Sequence, residues 1–247
     1  MKILIIRHGD PDYSVDSLTE KGRREAELLS ERLVKIQIDD FYCSPLGRAR
    51  DTARPTLEKL GKEAKILPWL AEWRGGVGEK PFVLGKKEFW GPWDLPPQIW
   101  TTDERFFDRN RWYEAPVINR GKSKEIDRET REGLDALLAQ YGYIRDGMFF
   151  RCGDNRRRTI ALFCHFALGS ALVGYLTGVA PSVMMHGFFM PTSSVTTMVS
   201  SEVEKGVVSF RCMQMGDTSH LYAAGEPVSL SGLLPEIYDP NSKRNIK

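Results

Sequence analysis

The sequence predicts an α/β fold of three layers, α/β/α, with a mostly parallel central sheet formed as one domain over residues 1–247. Two observations carry this expectation. Short apolar runs that empty into polar residues and glycine, such as residues 3–6 ahead of Arg7, His8 and Gly9, have the pattern of strands buried on both faces. Amphipathic helical segments alternate with these runs, and a strand–helix–strand–helix order implies parallel strands covered by helices. Residues at the carboxyl ends of such strands are where open α/β sheets bind ligands.

After the first apolar run, "SLTEKGRREAELLSERLVKI" places Leu18, Ala26, Leu29 and Leu33 near helical spacing, with Thr19 as N-cap. "DDFYCSPLGRARDTARPTLEKLG" reads as a strand at residues 41–43, a turn at Ser44 and Pro45, and a helix ending near Gly61. Residues 76–121 break the pattern: Trp, Phe, Pro and Gly are frequent and no period is sustained. A segment of this kind inside a compact domain is expected to be a lid or a substrate-specificity insertion. Its tryptophans, Trp90, Trp93, Trp100 and Trp112, either form a satellite hydrophobic cluster under the loop or line the mouth of a pocket.

A helix over residues 123–141 presents Ile126, Leu134, Leu137 and Leu138 on one side. A hairpin-like segment at residues 148–152 passes through "GDNRRR", a solvated turn carrying the arginines at 156–158, into "TIALFC". This second buried strand again stops on a histidine, His165. "ALGSALVGYLTG" reads as a packed helix, "SSVTTMVSS" and "GVVSFRCMQM" as two antiparallel strands, and "PEIYDPNSKRNIK" as a frayed basic tail. His220, in "GDTSHL", reads as a surface loop residue, and His186 has no assigned role.

With 35 basic and 33 acidic residues the net charge is +2, so nothing global favours nucleic acid or an anionic membrane surface, and any anion site must be local. No run of 18 or more apolar residues argues for a membrane span, and the N-terminal run is too short for a signal peptide. Cys43, Cys152, Cys164 and Cys212 lie far apart, without a CxxC or a histidine at metal-ligand spacing. Neither a metal site nor a disulfide framework is expected from them, and reduced thiols fit a cytoplasmic protein that needs no cofactor.

Arg7 and His8 end the first strand, His165 ends the second, and Arg48 lies in "SPLGRARDTA"; all four would converge at the sheet's carboxyl edge. Two arginines and two imidazoles suit a phosphoryl group, because the guanidinium fork matches phosphate oxygens and stays charged at any working pH. A neutral imidazole is a competent nucleophile toward phosphorus. In order, "RHG", "LTEKGRREA", "SPLGRARDTA", "LAEW" and the strand ending in His165 resemble the histidine phosphatase superfamily, branch 1, with its phosphoglycerate-mutase-like fold.

The resemblance implies that His8 is the nucleophile that becomes phosphohistidine, with Arg7, Arg48 and His165 holding the transferring phosphoryl group. It implies Glu72 as general acid and base, Glu79 being the competing carboxylate nearby, and a small phosphorylated molecule as substrate. Trp69, Leu70 and Trp73 would give Glu72 an apolar setting, which suits a group that must be protonated to act as an acid. The chain also departs from the family pattern. Pro11 and Ser14 stand where phosphoglycerate mutases continue their motif with serine and asparagine, and Phe166 follows the second histidine in place of glycine, putting a side chain against the substrate site. The aspartate that marks the acid phosphatase and phytase branch at that place is absent. The expectation is therefore a phosphatase for small phosphomonoesters. The alternatives are a mutase-type phosphotransferase and a non-catalytic phospholigand-binding protein. An apolar surface in the insertion would support a homodimer.

Overall fold

The computed structural model describes residues 1–74, 76–78, 80, 82–84, 87–89, 91–153 and 157–233, the side chains at 82 and 87 excepted. Glu79, Trp90, Arg156 and the tail at 235–247 lie outside the described residues. In chain order the elements are β1 (Lys2–Arg7), β2 (Pro11–Asp12), β3 (Ser17–Leu18), α1 (Glu20–Leu33), β4 (Asp40–Cys43), α2 (Gly47–Leu60), β5 (Ala64–Ile66), β6 (Phe82–Leu84) and β7 (Lys87–Phe89). They continue with α3 (Pro97–Trp100), α4 (Ser123–Ala139), β8 (Tyr143–Asp146), β9 (Phe149–Cys152), β10 (Thr159–Cys164), α5 (Phe166–Thr177), α6 (Pro181–Gly187), β11 (Val195–Glu204), β12 (Val207–Asp217) and α7 (Ser219–Ala223).

The central sheet has the order β5-β4-β10-β1-β11-β12-β9-β8. Its first four strands run parallel, as the alternation of strands and helices requires, and the rest pair antiparallel, so the sheet is mixed. The reason is local. β8–β9 and β11–β12 are joined by tight turns through Gly147 and Gly206, both at positive φ, and a hairpin turn can only connect antiparallel strands.

Alternation along β1 builds both outer layers. Ile3 and Ile5 face the cluster that holds Leu134, Leu137 and Leu138 of α4 and Leu168 and Leu172 of α5. Leu4 and Ile6 face Leu29 and Leu33 of α1 and Ala49 and Ala53 of α2. Because both faces are covered, the strand reads as a continuous apolar run. Thr19 caps α1 by accepting from the Gly22 amide at 3.0 Å, and α2 ends on Gly61 in the left-handed conformation, φ +60°.

The aromatic insertion has local order: β6 and β7 form a hairpin, and single 3-10 turns lie at Glu104–Phe107 and Trp112–Glu114. Phe106, Trp112, Ala115 and Ile118 are buried in the same cluster as α4 and α5. Trp112 stacks on Trp73 with ring centroids 5.2 Å apart, Trp100 stacks on His186 at 4.7 Å, and Trp93 is half-buried against the cluster. Among the described residues no helix is long and apolar enough to cross a membrane.

Truncating a buried tryptophan costs about 3–5 kcal/mol when the site cannot collapse. Trp112→Ala is expected to lose that much stability in urea unfolding; a loss below about 1 kcal/mol would contradict an insertion packed into the core.

Candidate active site

β1 and β10 are parallel neighbours with Arg7 opposite Cys164, so each strand delivers its next residue to the same edge. Those residues are His8 and His165, 2% and 0% exposed, with ring centroids 5.2 Å apart. β4 lies beside β10, and beyond its end Ser44 and the first turn of α2 bring in Arg48. Arg7 and Arg48 are both buried. Glycine is obligatory in the loop after His8: a Cβ on Gly9 would sit 2.7 Å from the Gly22 carbonyl oxygen, and one on Gly22 would sit 2.1 Å from that of Asp10. The loop and α1 therefore meet backbone to backbone. The Gly9 amide donates to Thr52 Oγ1 on α2 at 2.9 Å, which ties this loop to the helix that carries Arg48.

The His8 Nδ1–H donates to the Gly9 carbonyl at 2.7 Å, which leaves the Nε2 lone pair free. Burial first, then the charges of Arg7 and Arg48, hold His8 well below its ordinary value, so the ring is neutral at pH 7. His165 is also held well below its ordinary value, by burial and then by His8, Arg48 and Arg7. Its Nε2 is 2.7 Å from Ser44 Oγ, and its Nδ1 is buried without a partner among the described residues.

Arg7 is held by main-chain carbonyls, Nη1 donating to Met190 at 2.7 Å and Nη2 to Ser231 at 3.2 Å. Its guanidinium lies over the rings of Phe166 and Phe189, at 5.5 and 5.4 Å. Phe166 therefore packs on Arg7, in the place where glycine would have left the backbone open. Arg48 donates from Nη1 to Asp16 Oδ1 at 2.5 Å and lies 5.4 Å from the Tyr13 ring. Asp16 sits at φ +48° and also accepts from the Gly47 amide at 2.8 Å. Burial would raise Asp16, but Gly47 and Arg48 together hold it below the usual carboxylate range. The Nε of each buried arginine has no hydrogen-bond partner among the described residues.

Glu72 is not enclosed by apolar groups alone. Its carboxylate accepts from the amides of Trp73 at 3.0 Å, Ala167 at 3.3 Å and Leu168 at 3.2 Å, so it caps the start of α5, where His165 itself makes no side-chain cap. Ser14, where the phosphoglycerate-mutase motif has asparagine, is exposed and bonded to Asp12. The structure thus brings Arg7, His8, Arg48 and His165 together, with Phe166 against Arg7 and Glu72 at the foot of α5.

His220 is a correction to the surface-loop expectation. It is 7% exposed in α7, which packs on α1, and its Nε2 lies 3.1 Å from Ser193 Oγ. Ser193, at φ +55°, donates its amide to the His8 carbonyl at 3.0 Å. Sequence reasoning missed Asp16, Tyr13, Ser44 and Phe189. Only Ser44, inside the "SPLGRARDTA" motif, carried a signal. Among the described residues no group of three or more His, Cys, Asp or Glu is arranged to hold a metal ion.

Residues 3–104 match the profile of the Histidine phosphatase superfamily (branch 1). The chain is 43% identical over 76 residues to the "Probable phosphatase" of Schizosaccharomyces pombe, covering 27% of this chain and 36% of that protein. It is 40% identical over 74 residues to the 2,3-bisphosphoglycerate-dependent phosphoglycerate mutase of Thermoplasma acidophilum, covering 26% and 37%. The chain thus spans little more than a third of these curated relatives. Among solved structures, a phosphoserine phosphatase mutant from Entamoeba histolytica in complex with phosphoserine superposes with a TM-score of 0.59 at 19% identity, over 89% of this chain and 98% of that one. At that identity the likeness establishes the fold.

All four histidines are lowered by burial, and His186, at about 4, offers a clean test of the consequence. Between an unfolded value of about 6.5 and the folded value, the unfolded chain binds a proton that the native state does not, so stability is lost as pH falls through this window. Asp127, raised to about 6 by burial, and Glu25, also raised, act with the opposite sign and cancel when wild type is compared with His186→Gln. Urea unfolding from about pH 7 to about pH 4.5 is expected to show the wild type losing stability faster than the variant, by up to one proton's slope. Parallel profiles would contradict the assignment.

Proposed function

We propose, from the match of residues 3–104 to the histidine phosphatase superfamily (branch 1), that the chain hydrolyses a small phosphomonoester through a phosphohistidine on His8. One observation carries the reading. Arg7 Nε, Arg48 Nε and His165 Nδ1 are buried nitrogens without partners among the described residues. Leaving a buried polar group unpaired costs about 1–3 kcal/mol; two of the three are guanidinium donors and the third a ring nitrogen of the neighbouring histidine, a set that suits an acceptor-rich ligand beside His8. Phosphoryl oxygens are such acceptors.

In the proposed reaction the lone pair of His8 Nε2 attacks phosphorus opposite the leaving oxygen. The N–P bond forms as the P–O bond breaks, and Glu72 protonates the departing alkoxide. The Glu72 carboxylate then takes a proton from water, whose oxygen attacks phosphorus; the N–P bond breaks, its electron pair returns to Nε2, and phosphate leaves. Arg7, Arg48 and His165 hold the equatorial oxygens in both steps. Fixed donors of this kind supply positioning and charge stabilisation, the main demands of phosphoryl transfer. Every step uses groups of this chain, and residues 76–121 are assigned the choice among substrates.

Mutase-type transfer is the second reading, favoured by the similarity to the Thermoplasma enzyme and opposed by Pro11 and Ser14 at the mutase positions. Product analysis separates the two.

Phosphate release in EDTA, over sugar phosphates, phosphoglycerates, nucleotides and phosphoamino acids, tests the proposal. His8→Ala is expected to release none. Arg48→Ala should lower kcat by about 10²-fold or more, and Glu72→Gln by about 10²–10⁴-fold, with Glu79→Gln near wild type. A wild type that neither hydrolyses nor rearranges any of these esters would end the catalytic reading.

A further inference from the structure

We propose that Ser44 is a positioning residue that fixes the tautomer of His165, so that this imidazole presents an N–H at Nδ1 to the phosphoryl group. The inference rests on the phosphatase reading for the identity of the ligand, and on hydrogen-bond geometry for the tautomer.

Ser44 is fully buried at the end of β4, its amide donating to the Phe163 carbonyl at 2.9 Å. Parallel pairing of Cys43 with Phe163 places it beside the end of β10, level with the turn into His165. Its hydroxyl oxygen has two partners among the described residues, the Leu46 amide at 3.2 Å and His165 Nε2 at 2.7 Å. A serine hydroxyl has one hydrogen to donate. The Leu46 N–H can only donate, so it occupies a lone pair of the oxygen. The oxygen's second lone pair could take an N–H from Nε2 only by leaving the buried hydroxyl hydrogen with no acceptor among the described residues, so the hydroxyl donates to the lone pair of Nε2.

A neutral imidazole carries one proton, and with Nε2 accepting, that proton is on Nδ1. The environment keeps the ring neutral, since burial and the nearby charges of Arg48 and Arg7 all oppose a second proton. Nδ1 is also the buried ring nitrogen that lacks a partner. Ser44 thus converts an orphaned nitrogen into an orphaned donor. The two histidines are set in opposite senses by their neighbours: the Gly9 carbonyl leaves His8 with a free lone pair at Nε2, and Ser44 leaves His165 with a free N–H at Nδ1. One can attack phosphorus while the other donates to its oxygens, and neither has to reorganise its protons when substrate binds.

The test is nitrogen NMR of ring-labelled histidine in the resting protein, with His165→Gln assigning the resonance, joined to steady-state kinetics of Ser44→Ala and Ser44→Thr. In wild type His165 is expected to carry its proton on Nδ1, in Ser44→Thr to keep it there, and in Ser44→Ala to shift toward the Nε2 form. Ser44→Ala should lower kcat by about tenfold or more with KM changed by less than about threefold, and Ser44→Thr should stay within about threefold of wild type. Thermal unfolding of both variants checks that they fold. A wild-type proton on Nε2 overturns the proposal, as does a Ser44→Ala that keeps the tautomer, whether or not its kcat falls. The NMR arm needs no turnover. If no ester is hydrolysed while the tautomer is as stated, the phosphatase reading fails and the Ser44 assignment stands.

Discussion

Parallel pairing of β1 with β10 controls where everything else at the site can be. With Arg7 opposite Cys164, the chain must leave both strands at the same level, and His8 and His165 emerge as buried neighbours. A slip of one residue would turn Ile3 and Ile5 into the α1–α2 layer and move Arg7 to the wrong face, so the hydrophobic alternation that fixes the core also fixes the histidines. The close backbone contact of Gly9 with Gly22 and the Thr52 bond then leave the His8 loop little freedom.

Such a site has an electrostatic problem, because two arginines are buried beside two imidazoles. Desolvation first, and then repulsion by the nearby cations, keeps both rings neutral. The guanidinium groups are stabilised without full neutralisation. Arg7 rests on two carbonyl oxygens and two aromatic faces, none of which carries a formal charge. Arg48 has a carboxylate, Asp16, at one corner of its fork only. Glu72, Glu25 and Asp10 act on Arg7 only through space, so its guanidinium has no direct carboxylate partner among the described residues.

Much of this was legible in the sequence, for a physical reason. Arg7–His8, Arg48 and His165 sit at strand ends and a helix start, and such positions are marked by abrupt changes of polarity and by glycine. Their supports were not legible, because they arrive from far along the chain. The Met190 and Ser231 carbonyls that hold Arg7 lie 183 and 224 residues away, and main-chain acceptors leave no trace in residue type. Glu72 was singled out by motif, but two of its three amide partners come from α5 and the apolar setting inferred from its neighbours is incomplete. The antiparallel half of the sheet followed from two hairpin turns, and His220 looked like a loop residue because its burial depends on α7 docking against α1. The insertion lacked a period because its aromatic residues fill a cluster built by α4 and α5, where burial is set by tertiary position.

The central claim is that a neutral His8, held with a free Nε2, takes the phosphoryl group. Rapid quench of wild type with its best phosphomonoester, followed by peptide mapping at alkaline pH, tests it most directly. The account predicts an acid-labile, alkali-stable phosphoryl adduct on the peptide that contains His8, formed during turnover and lost as substrate is exhausted. Hydrolysis without that adduct, or with the phosphoryl group on another residue, would contradict it.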